Sequence, residues 1–267
     1  MNTTSDPILA VAVRAARRAA SVIIDASRDL RRLPTFSKEH GDIVAAADSE
    51  AESAIVATIS AAFPEHAILT GDSGEVKAGN PESPYRWIVD PIDGTANFGH
   101  GYPYYAISIA LARGPELTHA VVLDPVHDEL FTAIRGQGGL LNGVALRVSA
   151  CTTLQHALVG TVFPTRKSTK LAAYLLVLGA LAGRCGGIRR AGGCALDLAY
   201  VSAGRLDGFW MSSVKPWDVA AGALLVREAG GRVGDFAGSD DFLRGDELIA
   251  ATPGVFNALR EAIDAAM

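Results

Sequence analysis

Cysteine is scarce in this chain. Cys151, Cys185 and Cys194 are the only three in 267 residues. An odd, small number of thiols excludes a disulfide framework, and no two have the C-x-x-C spacing of a zinc site, so they read as reduced cysteines of a cytosolic protein. A basic excess is also missing. Lys and Arg total 24 against 29 Asp and Glu, a net charge of −5, which argues against broad, sequence-independent binding to nucleic acid. Long hydrophobic runs are absent as well. The longest, Leu171 to Gly183, is 13 residues, short of the roughly 18 that a membrane span needs. Arg14, Arg17 and Arg18 break the first apolar stretch too early for a signal peptide. The expectation is a cytoplasmic protein with no membrane association.

What is present is apolar bulk. Hydrophobic residues make up 49% of the chain and charged residues 20%, enough for a large core and against disorder. Asp6-Pro7 reads as a helix start, and Ile8, Val11, Ala15, Ala19, Ile23 and Ala26 continue at helical spacing to about Leu30. Arg31 to Gly41 reads as a polar loop, followed by a helix from Ser49 to Phe63. Short apolar runs at 87–90, 106–112, 120–123 and 130–134 read as strands, and Gly136 to Gly143 as a hairpin region. The second half alternates strands (157–162, 208–211, 247–251) with helices (169–182, 195–203, 217–228, 255–266). No repeat or flexible linker divides the chain. The expectation is one domain over 1–267, with sub-regions 1–150 and 151–267 meeting near Ala150.

The densest chemical signal is WIVDPIDGTANF, residues 87–98. A strand delivers Asp90, Pro91 stiffens the turn, and Asp93 brings a second carboxylate three residues on. Two such groups repel unless a cation lies between them, and a hard divalent cation suits oxygen donors. Backbone N–H groups after Asp93 can face an anion. The plainer alternative is that both aspartates cap a turn. Other acidic signals lie at Asp42 and Asp48 (GDIVAAAD), Asp72 and Glu75 (TGDSGE), and Asp218 (KPWDVAAGALLVREAGG), where an N-cap role is the simpler reading.

Together these segments resemble the inositol monophosphatase family of magnesium-dependent, lithium-sensitive phosphatases, over about residues 37–255. W-x-x-D-P-[IL]-D-G-T-x-N-F is matched throughout by Trp87–Phe98, and the second signature, W-D-x-x-A-[GA] through E-A-G-G, by Trp217–Gly231. Asp42–Asp48 and Phe63–His66 match a third pattern. GQGGLLNG and RRAGGCALDLAYVSAGRLDGF look most like the family's bacterial extragenic-suppressor branch.

The resemblance implies an α/β fold, a layered αβαβα sandwich, and a homodimer. Residues 1–150 would form the metal- and phosphate-binding half and 151–267 the substrate-binding half. It implies hydrolysis of a small phosphate monoester, inositol-1-phosphate above all, with two or three Mg²⁺ ions activating water. Fructose 1,6-bisphosphate, histidinol phosphate, NADP and 3′-phosphoadenosine 5′-phosphate are the alternatives among relatives. Asp72, Asp90, the carbonyl of Ile92, Asp93 and Asp218 are the implied metal ligands. Thr95, Asp48 and Asp93 are the implied catalytic residues, with Gly94 and Thr95 forming a phosphate-cradling turn. Lys38 matches a loop lysine near the metals. Gly193, Cys194 and Asp197 are expected to line the substrate pocket. The suppressor branch also implies a transcription-machinery partner, with Arg184, Arg189 and Arg190 marking a possible surface.

Two departures stand out. The upstream loop of the family usually carries two glutamates, where this chain has Gly71 and Asp72. Asp is shorter by one methylene, about 1.5 Å of reach, and Glu75 compensates only if the loop shifts. Met211 stands where the family often has a glutamate facing inositol hydroxyls, and a thioether accepts hydrogen bonds only weakly.

Overall fold

The computed structural model describes residues 6–30, 32–35, 37–71, 76–164 and 168–267. Helix α1 (Pro7–Leu30) starts where the sequence places it, because the Asp6 carboxylate accepts the Leu9 N–H at 2.8 Å. Helix α2 spans Lys38–Ala62, eleven residues earlier than the predicted start at Ser49. The reason is a local cap. The Ser37 hydroxyl accepts the His40 N–H at 3.1 Å, and Glu39 lies in the first turn, where the helix dipole favours an acid. Asp42 and Asp48 are therefore inside the helix rather than before it.

The first sheet contains β1 (Ala67–Thr70), β2 (Val76–Ala78), β3 (Tyr85–Asp93), β4 (Ala106–Arg113), β5 (Glu116–Asp124), β6 (Glu129–Ile134), β7 (Gly138–Leu141) and β8 (Val144–Ala145). Its spatial order is β2-β1-β3-β4-β5-β6-β7-β8, antiparallel except for the β1–β3 pair. Helix α3 (Thr95–His100) interrupts the β3–β4 connection. The second sheet is ordered β10-β9-β11-β13-β12. It contains β9 (Leu158–Thr161), β10 (Gly187–Arg189), β11 (Gly208–Ser212), β12 (Arg232–Gly234) and β13 (Glu247–Ala251), interleaved with α4 (Leu171–Ala182), α5 (Cys194–Ser202), α6 (Pro216–Glu228) and α7 (Pro253–Asp264).

The period-2 alternation of strands assigns each side chain to a layer. Trp87 and Val89 of β3 join Ile107, Ile109 and Leu111 of β4 against α1 and α2, while Ile88 faces the opposite way. On β11, Phe209 and Met211 face the first sheet through α5 and α6, and Trp210 faces outward onto α4 and α7 with Tyr174, Phe256 and Leu259. The layers are thus α1/α2, first sheet, α5/α6, second sheet, α4/α7. The αβαβα arrangement is as expected. Helix α6 lies between two sheets, so Val219 to Val226 is buried without a break and the helix has no polar stripe. That shared middle layer joins the two halves of the chain. Among the described residues no helix is long and apolar enough to cross a membrane.

Candidate active site

The site forms where β3, α3, α5 and α6 converge. In an unbroken strand, residues three apart point to opposite faces. On β3, however, Asp90 opposes Ser108 and Asp93 opposes Ala106, so three steps on β3 match two on β4. This bulge returns Asp90 and Asp93 to one face. The Asp90 carboxylate accepts the Ile92 N–H at 3.1 Å, and the Ile92 carbonyl accepts the Thr95 hydroxyl at 2.9 Å. Gly94 between them has φ +91°, and a Cβ there would come within 2.9 Å of the Tyr104 carbonyl oxygen. Only glycine turns the chain this tightly.

Asp218 arrives from the first turn of α6, where its carboxylate accepts the Lys215 N–H at 3.1 Å. The acids act on one another. Burial pushes the Asp90 carboxyl well above the usual carboxylate range, and the charges of Asp93, Asp218 and Asp48 push it further. Burial and Asp218 raise Asp93 to about 7, against the N–H groups that it accepts. Burial raises Asp218 to about 6 despite Lys215.

Thr95 and Asp48 line one cleft of about 680 Å³ together with Ser37, His40 and Gly41. Lys38 is the exposed first residue of α2, beside that lining. Asp72 and Glu75 lie outside the described residues. Gly71 packs on the second signature: a Cβ there would stand 3.2 Å from the Trp217 indole nitrogen. Among the described residues, no three carboxylates, imidazoles or thiols gather closely enough to enclose a metal ion.

Gly193, Cys194 and Asp197, expected to line the substrate pocket, lie in and before the first turn of α5, whose N–H groups are taken by Asp93: Cys194 N–H donates at 3.2 Å and Ala195 N–H at 2.8 Å. Gly193 is buried beside the same carboxylate, and the Cys194 thiol lies 3.4 Å from the Met211 thioether, away from solvent. Burial and the nearby acids raise that thiol well above its usual value, which makes it inert. Asp197 does not line an open pocket either. It is fully buried and accepts the Tyr104 hydroxyl at 2.5 Å, and burial raises it to about 8. Sequence reasoning missed Tyr104 and Asn97. The Asn97 amide donates to the carbonyls of Tyr104 (2.7 Å) and Ala191 (3.0 Å), tying α3 to the strap before α5. Asn97 sits inside the first signature, so its position was available, but its partner is 94 residues away.

Comparison with known proteins bears on the whole chain. The pattern of the Inositol monophosphatase family matches residues 4–265. The chain is 47% identical over 262 residues, 96% of each chain, to the Nus factor SuhB of Pseudomonas aeruginosa. It superposes on the extragenic suppressor protein suhB of Bartonella henselae with a TM-score of 0.86 and 38% identity, over 97% of this chain and 100% of that one. It matches the inositol monophosphatase of Anabaena equally well, with a TM-score of 0.86 and 32% identity, over 97% of this chain and 96% of the other. The bulged aspartate pair, the left-handed Gly94 turn and the α6 aspartate thus lie in a chain that belongs to the inositol monophosphatase family.

Proposed function

We propose that this protein is a magnesium-dependent hydrolase of small phosphate monoesters, with inositol-1-phosphate the leading substrate. The observation that carries this reading is the burial of Asp90, Asp93 and Asp218 beside one another. Burial is the main cause that raises all three carboxyl groups, and neighbouring acids raise Asp90 and Asp93 further. A fold does not keep such repulsion for a turn alone. The chemistry of the donors, all oxygen with no thiolate or imidazole, suits a hard divalent cation, and the three carboxylates have to draw closer together than they stand here to enclose one.

Asp90, Asp93, Asp218 and the Ile92 carbonyl would hold magnesium, with Asp72 as the fifth donor from the upstream loop. When bound, magnesium supplies Lewis-acid polarisation of the phosphoryl group and of water. The chain's own residues supply the rest. The Thr95 hydroxyl, fixed by its bond to Ile92, presents its lone pairs to a hydrogen of the attacking water. Asp48, on the facing helix and in the same cleft, receives the proton. Gly94 lets the backbone approach the phosphate without a side chain between them. Water oxygen bonds to phosphorus, the ester P–O bond breaks, and the departing alcohol oxygen takes up a proton.

Met211 is buried against Cys194, so this chain lacks the glutamate that would single out inositol, and the other monoesters named above remain in the substrate range. A cytoplasmic homodimer sensitive to lithium belongs to the same reading. A second role is supported by the Pseudomonas relative's name, Nus factor SuhB. Arg184, Arg189 and Arg190 are exposed, just past α4, at the end of β10 and just after it, where a transcription-machinery partner could dock. The test is phosphate release from a panel of monoesters with and without magnesium, beside pull-down of RNA polymerase. Magnesium-dependent release supports the enzyme, and capture without release in any condition would leave only the binding role.

A further inference from the structure

Tyr104 touches the Gly94 turn, α3 and α5 without belonging to either signature. Its carbonyl oxygen packs over Gly94 and accepts the Asn97 amide. Its ring edge lies 3.4 Å from the Cβ position of Gly193. Its hydroxyl donates to Asp197 one turn into α5, and the Asp197 N–H closes that turn on the Gly193 carbonyl at 3.2 Å. The same turn supplies both N–H groups that hold Asp93. The Tyr104 hydroxyl is therefore a side-chain tie, beside that of Asn97, between the segment packed on the Gly94 turn, which follows Asp90 and Asp93, and the helix end that aims Asp93.

Asp197 is otherwise poorly placed. It is completely buried, and its second carboxyl oxygen has no hydrogen-bond partner among the described residues. A buried polar atom without a partner costs stability, so a purely structural role is better served by an apolar side chain. We propose that Tyr104 and Asp197 form a positioning pair. Their bond fixes the first turn of α5 against the β3–α3 turn, so that the Asp93 carboxylate keeps the orientation needed to hold a divalent cation. This rests on the proposed metal-dependent reading. Partners that orient metal ligands typically change metal affinity by tenfold or more when removed.

The experiment measures magnesium-induced thermal stabilisation and the magnesium dependence of phosphate release, in the full-length protein. Tyr104→Phe removes only the tie. Asp197→Asn keeps an oxygen for the Tyr104 hydroxyl, whereas Asp197→Leu does not. Tyr174→Phe is the control, because Tyr174 is buried in the outer-layer cluster and its hydroxyl contacts Thr161 rather than an aspartate. The expected result is a half-saturating magnesium concentration raised roughly tenfold in Tyr104→Phe and Asp197→Leu, by both readouts. Asp197→Asn stays near wild type, and Tyr174→Phe melts lower without any change in its magnesium response. If Tyr104→Phe loses melting temperature as the control does but keeps the wild-type magnesium response, the proposal is overturned and the bond is structural. If the wild-type protein itself shows no magnesium-induced shift, the metal-dependent reading fails, and the positioning role fails with it.

Discussion

Replacing Asp93 by Asn separates the two roles that the structure gives this carboxylate. Asp93 accepts two N–H groups at the start of α5, as a helix cap does. It is also 6% exposed and faces Asp218, and its pKa is raised from 3.8 to about 7. The sign follows from proton uptake on folding. A carboxyl with a folded pKa above its unfolded one binds more protons in the native state, so stability falls as pH rises from about 4 through 7. A shift of about three units corresponds to roughly 4 kcal/mol at pH 8 in the magnesium-free protein. Asn removes that charge but leaves one N–H without an acceptor, a loss of about 1 kcal/mol. Without magnesium, Asp93→Asn should therefore be more stable than wild type at pH 8 by about 3 kcal/mol, or roughly 6 °C in a chain of this size. At pH 5, where the wild-type carboxyl is mostly protonated, the variant should be equal or slightly less stable. Scanning calorimetry in EDTA at the two pH values is the assay. A variant that melts well below wild type at pH 8 would show that capping outweighs repulsion, and would refute the argument that a cation is needed here.

Other perturbations test separate links. Gly94→Ala should destabilise by about 2 kcal/mol or more through its positive φ and the clash with Tyr104, and should abolish phosphate release; chemical denaturation beside the activity assay reads both. Phe209→Ala, which empties a fully buried position between the sheets, should cost about 3–5 kcal/mol in urea unfolding while leaving the magnesium requirement unchanged in whatever protein stays folded. From the sequence register of the upstream loop, Asp72→Ala should raise the magnesium needed for half-maximal rate, Asp72→Glu should lower it, and Glu75→Gln should have little effect. A magnesium titration in which Glu75→Gln is the damaging change would shift the ligand assignment to Glu75.

Much of this architecture was legible where a local cause sets it. Asp6-Pro7 fixed the start of α1, and the apolar runs located β3, β4, β5, β6, β9, β11 and β13. The start of α2 was not legible, because Gly41 and the acidic residues around it read as loop while the decisive event was the Ser37 cap. Strands β10 and β12 are three residues long, too short to show a period. Within the site, spacing brought Asp90 and Asp93 forward, and the match to the second signature brought Asp218. The bulge that turns Asp90 and Asp93 to one face depends on pairing with β4, and the Tyr104–Asp197 bond joins residues 93 apart. Neither leaves a local trace. The capping of α5 by Asp93 leaves none either, since Asp93 reaches those N–H groups from about 100 residues away.

The most direct test of the metal-dependent hydrolase is the initial rate of inorganic phosphate release from inositol-1-phosphate as magnesium is titrated into EDTA-stripped protein. Asp90→Asn is run in parallel, after circular dichroism shows that it is folded. The account predicts no release in EDTA, saturable recovery with magnesium in the wild type, and no recovery in Asp90→Asn. Full turnover in excess EDTA, or a wild-type rate from folded Asp90→Asn, would contradict it.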